Sequence, residues 1–187
     1  MAIAGVSHPW FCLFLILTSA LAVCRSDDDP DCVYTFYIRT GSIWKAGTDS
    51  KITATFYDSY GYGLQIGNVE TWGGQMGPDY NYFERGNLDI FSGRAPCLPG
   101  PVCALNLTSD GSGPHHGWYV NYLELTTTGV HKACAQQLFT VEQWLATDTS
   151  PYKLTAIVDN CAQSLNMEGQ SSSDSSSHLP RTLVAEI

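Results

Sequence analysis

Residues 118–125 read Trp-Tyr-Val-Asn-Tyr-Leu-Glu-Leu, and this aromatic run, continued to Thr126, decides the fold. Apolar residues alternate from Trp118 to Val120, and the phase then shifts near Tyr122-Leu123. That pattern predicts a long strand interrupted by a bulge. The same period of two recurs upstream. Tyr34, Phe36 and Ile38 alternate with Thr35, Tyr37 and Arg39, and Ile52, Ala54 and Phe56 alternate with Thr53, Thr55 and Tyr57. Shorter candidates are Asp89 to Phe91, Ala104 to Leu107, Phe139 to Val141 and Leu154 to Val158. Val141 to Ala146 is the one segment that reads as a helical turn. Glycine clusters at 61–63, 73–74 and 111–113 punctuate the series. Many short strands with such punctuation predict an all-β antiparallel sandwich or barrel.

The chain has 187 residues, enough for one domain with termini. Trp10 to Val23 is apolar and ends in small residues, which predicts a signal peptide over 1–24, cleaved after 22 or 24. Residues 25–31 form an acidic leader, 32–161 the structured domain, and 162–187 a Ser-rich tail expected to be disordered. The expected location is the secretory pathway. The formal net charge is −9 with only 9 Lys and Arg, so nucleic acid is a poor partner. An anionic membrane would repel such a chain unless a divalent cation intervened.

Secretion would pair the cysteines. Cys97 and Cys103 bracket a short Pro/Gly loop and are expected to close it. Cys32 and Cys161 bracket the whole periodic region, as a clasp between first and last strands would. Cys134 is left with Cys24, or free.

Thr40-Gly41, then Ala46-Gly47-Thr48-Asp49, then the 118–125 run, then Phe139 to Leu145 occur in the order of the motifs of the PLAT/LH2 domain, which this chain resembles. The phrases at 41–45 and 110–118 resemble its small plant stress-related subfamily. The resemblance implies two packed four-stranded sheets, with membrane, lipid or protein binding and, in some members, calcium. It places calcium ligands at Gly47 (carbonyl) and Asp49 on one loop, and at Glu70, Asp79, Asn81 and Glu84 on a second loop at the same end. It also implies a cysteine at the position of Val120, paired to that of Cys134; here Val120 leaves Cys134 without that partner, to pair with Cys24 or with another molecule.

Trp44 and Trp72 lie on the same loops and are expected to contact a membrane or ligand. Trp118 and Trp144 are expected in the core. His115-His116 reads as a pair of exposed turn histidines whose side chains point apart. No nucleophile elbow, zincin motif or phosphate loop occurs, so no catalytic residue is assigned. Asn106-Leu107-Thr108 is a glycosylation sequon. The expected function is a monomeric, non-catalytic membrane- or lipid-binding module. Docking on a lipid-metabolising enzyme or receptor is the alternative.

Overall fold

The computed structural model describes residues 31–164 and 182–185. Strands β1 (Asp31–Thr40), β4 (Leu88–Pro96), β6 (Trp118–Gly129) and β7 (Lys132–Leu145) form one antiparallel sheet in the order β4-β1-β6-β7. Strands β2 (Ile52–Asp58), β3 (Gly63–Ile66), β5 (Val102–Ser109) and β8 (Thr155–Asp159) form the other, in the order β8-β5-β2-β3. The expected sandwich of two four-stranded antiparallel sheets is therefore present. A ninth strand, β9 (Thr182–Ala185), adds to β3 in parallel.

The alternation read from sequence sorts the faces. Tyr34, Phe36 and Ile38 of β1 face Ile52, Ala54 and Phe56 of β2 in the core, all fully buried. The Phe36–Phe56 ring contact at 5.4 Å joins the two sheets, and Phe91, opposite Phe36 within the first sheet, stacks on it at 5.3 Å. The expected bulge lies between Val120 and Tyr122, where the β6–β7 register shifts. Helix α1 (Val69–Gly73), capped by the Asn68 side chain, covers the sandwich beside β4. The short helix α2 (Cys161–Ser164) follows β8.

Several expectations are corrected. The disulfides are Cys32–Cys97 and Cys103–Cys161, with Cα separations of 4.8 and 4.7 Å, not Cys32–Cys161 and Cys97–Cys103. The ladders set the pairing. β1 against β4 puts Cys32 opposite Ala95, and β5 against β8 puts Ala104 opposite Asp159. Each bridge thus ties an edge strand to its inner neighbour within one sheet. Among the described residues Cys134 is free and exposed. The pairing implied for position 120 does not fit the fold either, because Val120 lies opposite Gln143, far along β7 from Cys134.

The helical turn expected over Val141 to Ala146 is not present. Val141 to Leu145 continue β7, with Leu145 opposite Trp118 and Trp144 opposite Tyr119. Residues 182–185, expected within an unstructured tail, find hydrogen-bonding partners along the otherwise open edge of β3. The signal peptide, the leader before Asp31, Cys24 and most of the Ser-rich tail lie outside the described residues. No helix among the described residues is long and apolar enough to cross a membrane.

Candidate functional site

The β1–β2 connection builds one wall of the site. A turn closes from Ala46 N–H to Ile43 C=O at 3.2 Å, with Lys45 in the left-handed region at φ 62°. Trp44 is therefore held at the corner of the turn, 75% exposed, beside Ile43 at 46%. The following residues are locked inward. Thr48 N–H donates to Phe83 C=O, its hydroxyl donates to His115 C=O at 2.7 Å, and the Ser50 hydroxyl donates to Ser112 C=O at 2.6 Å. Gly47 is needed for close approach: a Cβ there would stand 3.0 Å from Arg85 N and 3.1 Å from Phe83 O.

The β3–β4 connection supplies the second wall through Glu84 and Arg85, with Phe83 buried beneath them. A buried carboxylate shapes it. Asp89, fully buried, accepts from Phe83 N–H at 2.8 Å and from the Tyr80 hydroxyl at 3.0 Å, while Asn87 Nδ2 donates to the Tyr80 oxygen. Burial pushes the Asp89 carboxyl above its ordinary value, outweighing those two bonds. A carboxyl raised in the folded state binds its proton more tightly there. Its contribution to stability is fullest in acid and declines as the pH rises through the raised value. Burial, reinforced by the bond to Asp89, pushes Tyr80 up to about 12, so its contribution is lost as the pH climbs towards that value.

Asp89→Ala should cost about 1–3 kcal/mol in urea unfolding, because the Phe83 N–H is left unpaired. Asp89→Asn should cost less and should remove the acid-favoured component of the stability profile. Equal profiles for wild type and Asp89→Asn between acid and neutral pH would contradict the assignment.

Between the two walls and the β6–β7 side lies a cleft of about 520 Å³. Trp44, Lys45, Gly47, Asp49, Glu84 and Arg85 line one part, and His115, His116, Trp144 and Asp148 the other. Arg85 stands over the Trp44 ring, its Cζ 5.7 Å from the centroid. His115 Nδ1 meets Asp49 Oδ2 at 3.1 Å, and His116 Nε2 lies 3.8 Å from Asp148 Oδ2. The two histidines do diverge, each towards its own carboxylate.

The structure brings together only part of the expected set. Gly47, Asp49, Glu84 and Trp44 line the cleft. Asn81 is tied to it through the hydrogen bond from its amide to Glu84. Glu70, in the first turn of α1, and Asp79 do not line it. Trp72 is corrected from a contact residue to a packing one: it stacks on Phe36 at 5.8 Å, and a Cβ at Gly93 would fall 2.6 Å from its ring. Trp118 is fully buried as expected. Trp144 is not core. It projects outward from β7, half-buried against Tyr119 at 5.4 Å, and lines the cleft. Sequence reading missed Trp144, His116 and Asp148 as site residues; the only signal was the alternation that places Trp144 opposite in phase to buried Leu145. Asn106 sits in β5 between buried Leu105 and Leu107, so its side chain faces outward from the second sheet.

Calcium fits this end only in part. It takes six to eight oxygens, whereas no three His, Cys, Asp or Glu side chains among the described residues gather to hold an ion. Asp49 and Glu84 also already have partners in His115 and Asn81.

The family model of the PLAT/LH2 domain matches residues 34–158, which contain both walls of the cleft. The chain belongs to the PLAT/LH2 domain family. PLAT domains are lipid- or protein-interaction modules. PLAT domain-containing protein 1 of Arabidopsis thaliana is 71% identical over 147 residues, 79% of this chain and 81% of that one. PLAT domain-containing protein 2 of the same plant is 66% identical over 153 residues, 82% and 84% of the two chains. A coral 8R-lipoxygenase structure, described as showing calcium activation via a C2-like domain, has a TM-score of 0.49 at 20% identity, over 68% of this PLAT chain and 16% of that one. The two disulfides suit a non-cytosolic compartment.

Proposed function

We propose that this PLAT domain is a non-catalytic lipid-binding module of the secretory pathway, acting as a monomer, and that it meets the lipid surface with the end bearing the cleft. The observation that carries the reading is the Ile43-Trp44 tip. Two large apolar side chains stand exposed at the corner of a turn whose following residues are fixed by hydrogen bonds. Exposing an indole costs free energy in water, and such rings settle at the headgroup level of a bilayer. The rigid base means that little conformational entropy is lost on contact. Lys45 and Arg85 flank the tip, where basic side chains reach lipid phosphates.

Calcium, where present, would take Gly47 C=O, Asp49 and Glu84 as protein ligands and draw its remaining oxygens from water and lipid phosphate. Under the same reading Asn106 carries its glycan on the outer face of the second sheet.

Trp44→Ala should weaken vesicle binding by about tenfold or more, since burying a Trp side chain contributes roughly 2 kcal/mol. Its thermal stability should stay that of the wild type, because the removed ring contacts little besides Arg85. Co-sedimentation with mixed phospholipid vesicles measures this. Equal pelleting of wild type and variant would overturn the reading.

A further inference from the structure

We infer that the cleft recognises a zwitterionic headgroup, a phosphate joined through a short linker to an ammonium, of which phosphocholine is the simplest soluble form. The inference rests on the lipid-binding reading and narrows it to a ligand class.

Three independent features point to this chemistry. The first is global charge. At −9 the chain is repelled by an anionic surface but not by a zwitterionic one. The second is the pairing of signs in one cleft. Lys45 and Arg85 stand on the tip side, and Asp49, Glu84 and Asp148 also line the walls. A purely anionic ligand would meet the carboxylates unshielded, and a purely cationic one would meet the basic pair. A ligand carrying both charges satisfies both.

The third is the aromatic lining. Trp144 is half-buried, braced edge-on by Tyr119, and lines the cleft together with Asp148. An indole with a carboxylate nearby suits an alkylated ammonium, whose charge is spread over methyl groups and is only weakly hydrated. Arg85, held over the Trp44 ring at 5.7 Å, presents its guanidinium N–H groups for a phosphate. The volume of about 520 Å³ falls within the range of small-ligand sites.

The test begins without a membrane. Phosphocholine is titrated into the full chain in chelator, with intrinsic tryptophan fluorescence and calorimetry as readouts. The expected result is saturable binding with a Kd on the order of 1 mM. Choline alone and inorganic phosphate alone should each bind at least about tenfold more weakly. Trp144→Ala should lose most of the affinity. Asp148→Asn, at an exposed position whose replacement leaves the core untouched, should weaken phosphocholine and choline but not phosphate.

No saturable response to phosphocholine, or phosphate binding as tightly as phosphocholine, would overturn the inference. Vesicles separate it from the reading beneath it. If phosphatidylglycerol vesicles pellet the protein and phosphatidylcholine vesicles do not, lipid binding stands and the headgroup assignment falls. If soluble phosphocholine binds but neither vesicle does, the assignment stands for a free ligand and the membrane reading falls.

Discussion

Trp118→Ala should destabilise the fold by about 3–5 kcal/mol, the range for removing a large buried aromatic. Trp118 is fully buried, its ring meets Phe83 edge-on at 5.0 Å, and its indole N–H donates to the Thr40 hydroxyl at 3.0 Å. The substitution therefore opens a cavity and also leaves a buried hydroxyl short of its donor. The effect should extend to the site. Phe83 rests on Trp118 and its carbonyl receives Thr48 N–H, so the packing beneath both cleft walls passes through this one ring. Urea unfolding should show a lower midpoint for Trp118→Ala. Trp118→Phe should recover part of the loss, because it refills most of the volume but not the bond to Thr40. A loss under about 1 kcal/mol for Trp118→Ala would mean that the core collapses around the gap far better than cores of this density do.

The second large effect concerns the bridges. Replacing Cys103 and Cys161 together with serine should cost about 2–5 kcal/mol. The bridge spans a sequence separation of 58, and a loop that long restricts the unfolded chain by roughly 4 kcal/mol in the chain-entropy view. It also pins β8, an edge strand that among the described residues has its one ladder with β5. The variant should melt lower and should open β8 first in hydrogen exchange, while the cleft walls keep their protection. Cys32 and Cys97 perform the corresponding task for β4. Peptide mapping of the non-reduced chain checks the pairing directly. Recovery of a 97–103 bridge would contradict it.

The core was legible because alternation fixes which face of a strand is buried. Every one of Tyr34, Phe36, Ile38, Ile52, Ala54 and Phe56 lies where period two places it. The loop bearing Gly47-Thr48-Asp49 was legible as well, but through its resemblance to the opening motif of the PLAT/LH2 domain rather than through any local pattern. The disulfides were not. Proximity in sequence suggested closing 97 to 103, but pairing follows the ladder, and the ladder partners of these cysteines are far apart in the chain.

The same reason hid the other half of the cleft. His115 and Asp49 are separated by 66 residues, and nothing in either local pattern announces the other. Trp144 was misread because an aromatic in a strand motif suggests core, whereas its phase against Leu145 turns it outward. Trp72 failed in the opposite sense. Its loop forms a helix that carries the ring onto Gly93, and a sequence shows Gly93 as a flexible point rather than as the seat for an indole. Asp89 reads as an ordinary polar residue of a strand. Its role in shaping the second wall depends on two partners, the Tyr80 hydroxyl and the Phe83 N–H, supplied by a loop folded back over it.

The central claim is that the Ile43-Trp44 tip enters the lipid surface. Brominated-lipid quenching tests it most directly. Vesicles carrying bromine at graded acyl depths are added to wild type and to Trp44→Phe, and tryptophan emission is recorded. The predicted result is quenching in the wild type, strongest for bromines nearest the headgroups, and its near-complete loss in Trp44→Phe, whose remaining indoles stay clear of the acyl region. Quenching that is absent from the vesicle-bound wild type, or that persists unchanged in Trp44→Phe, would contradict the account.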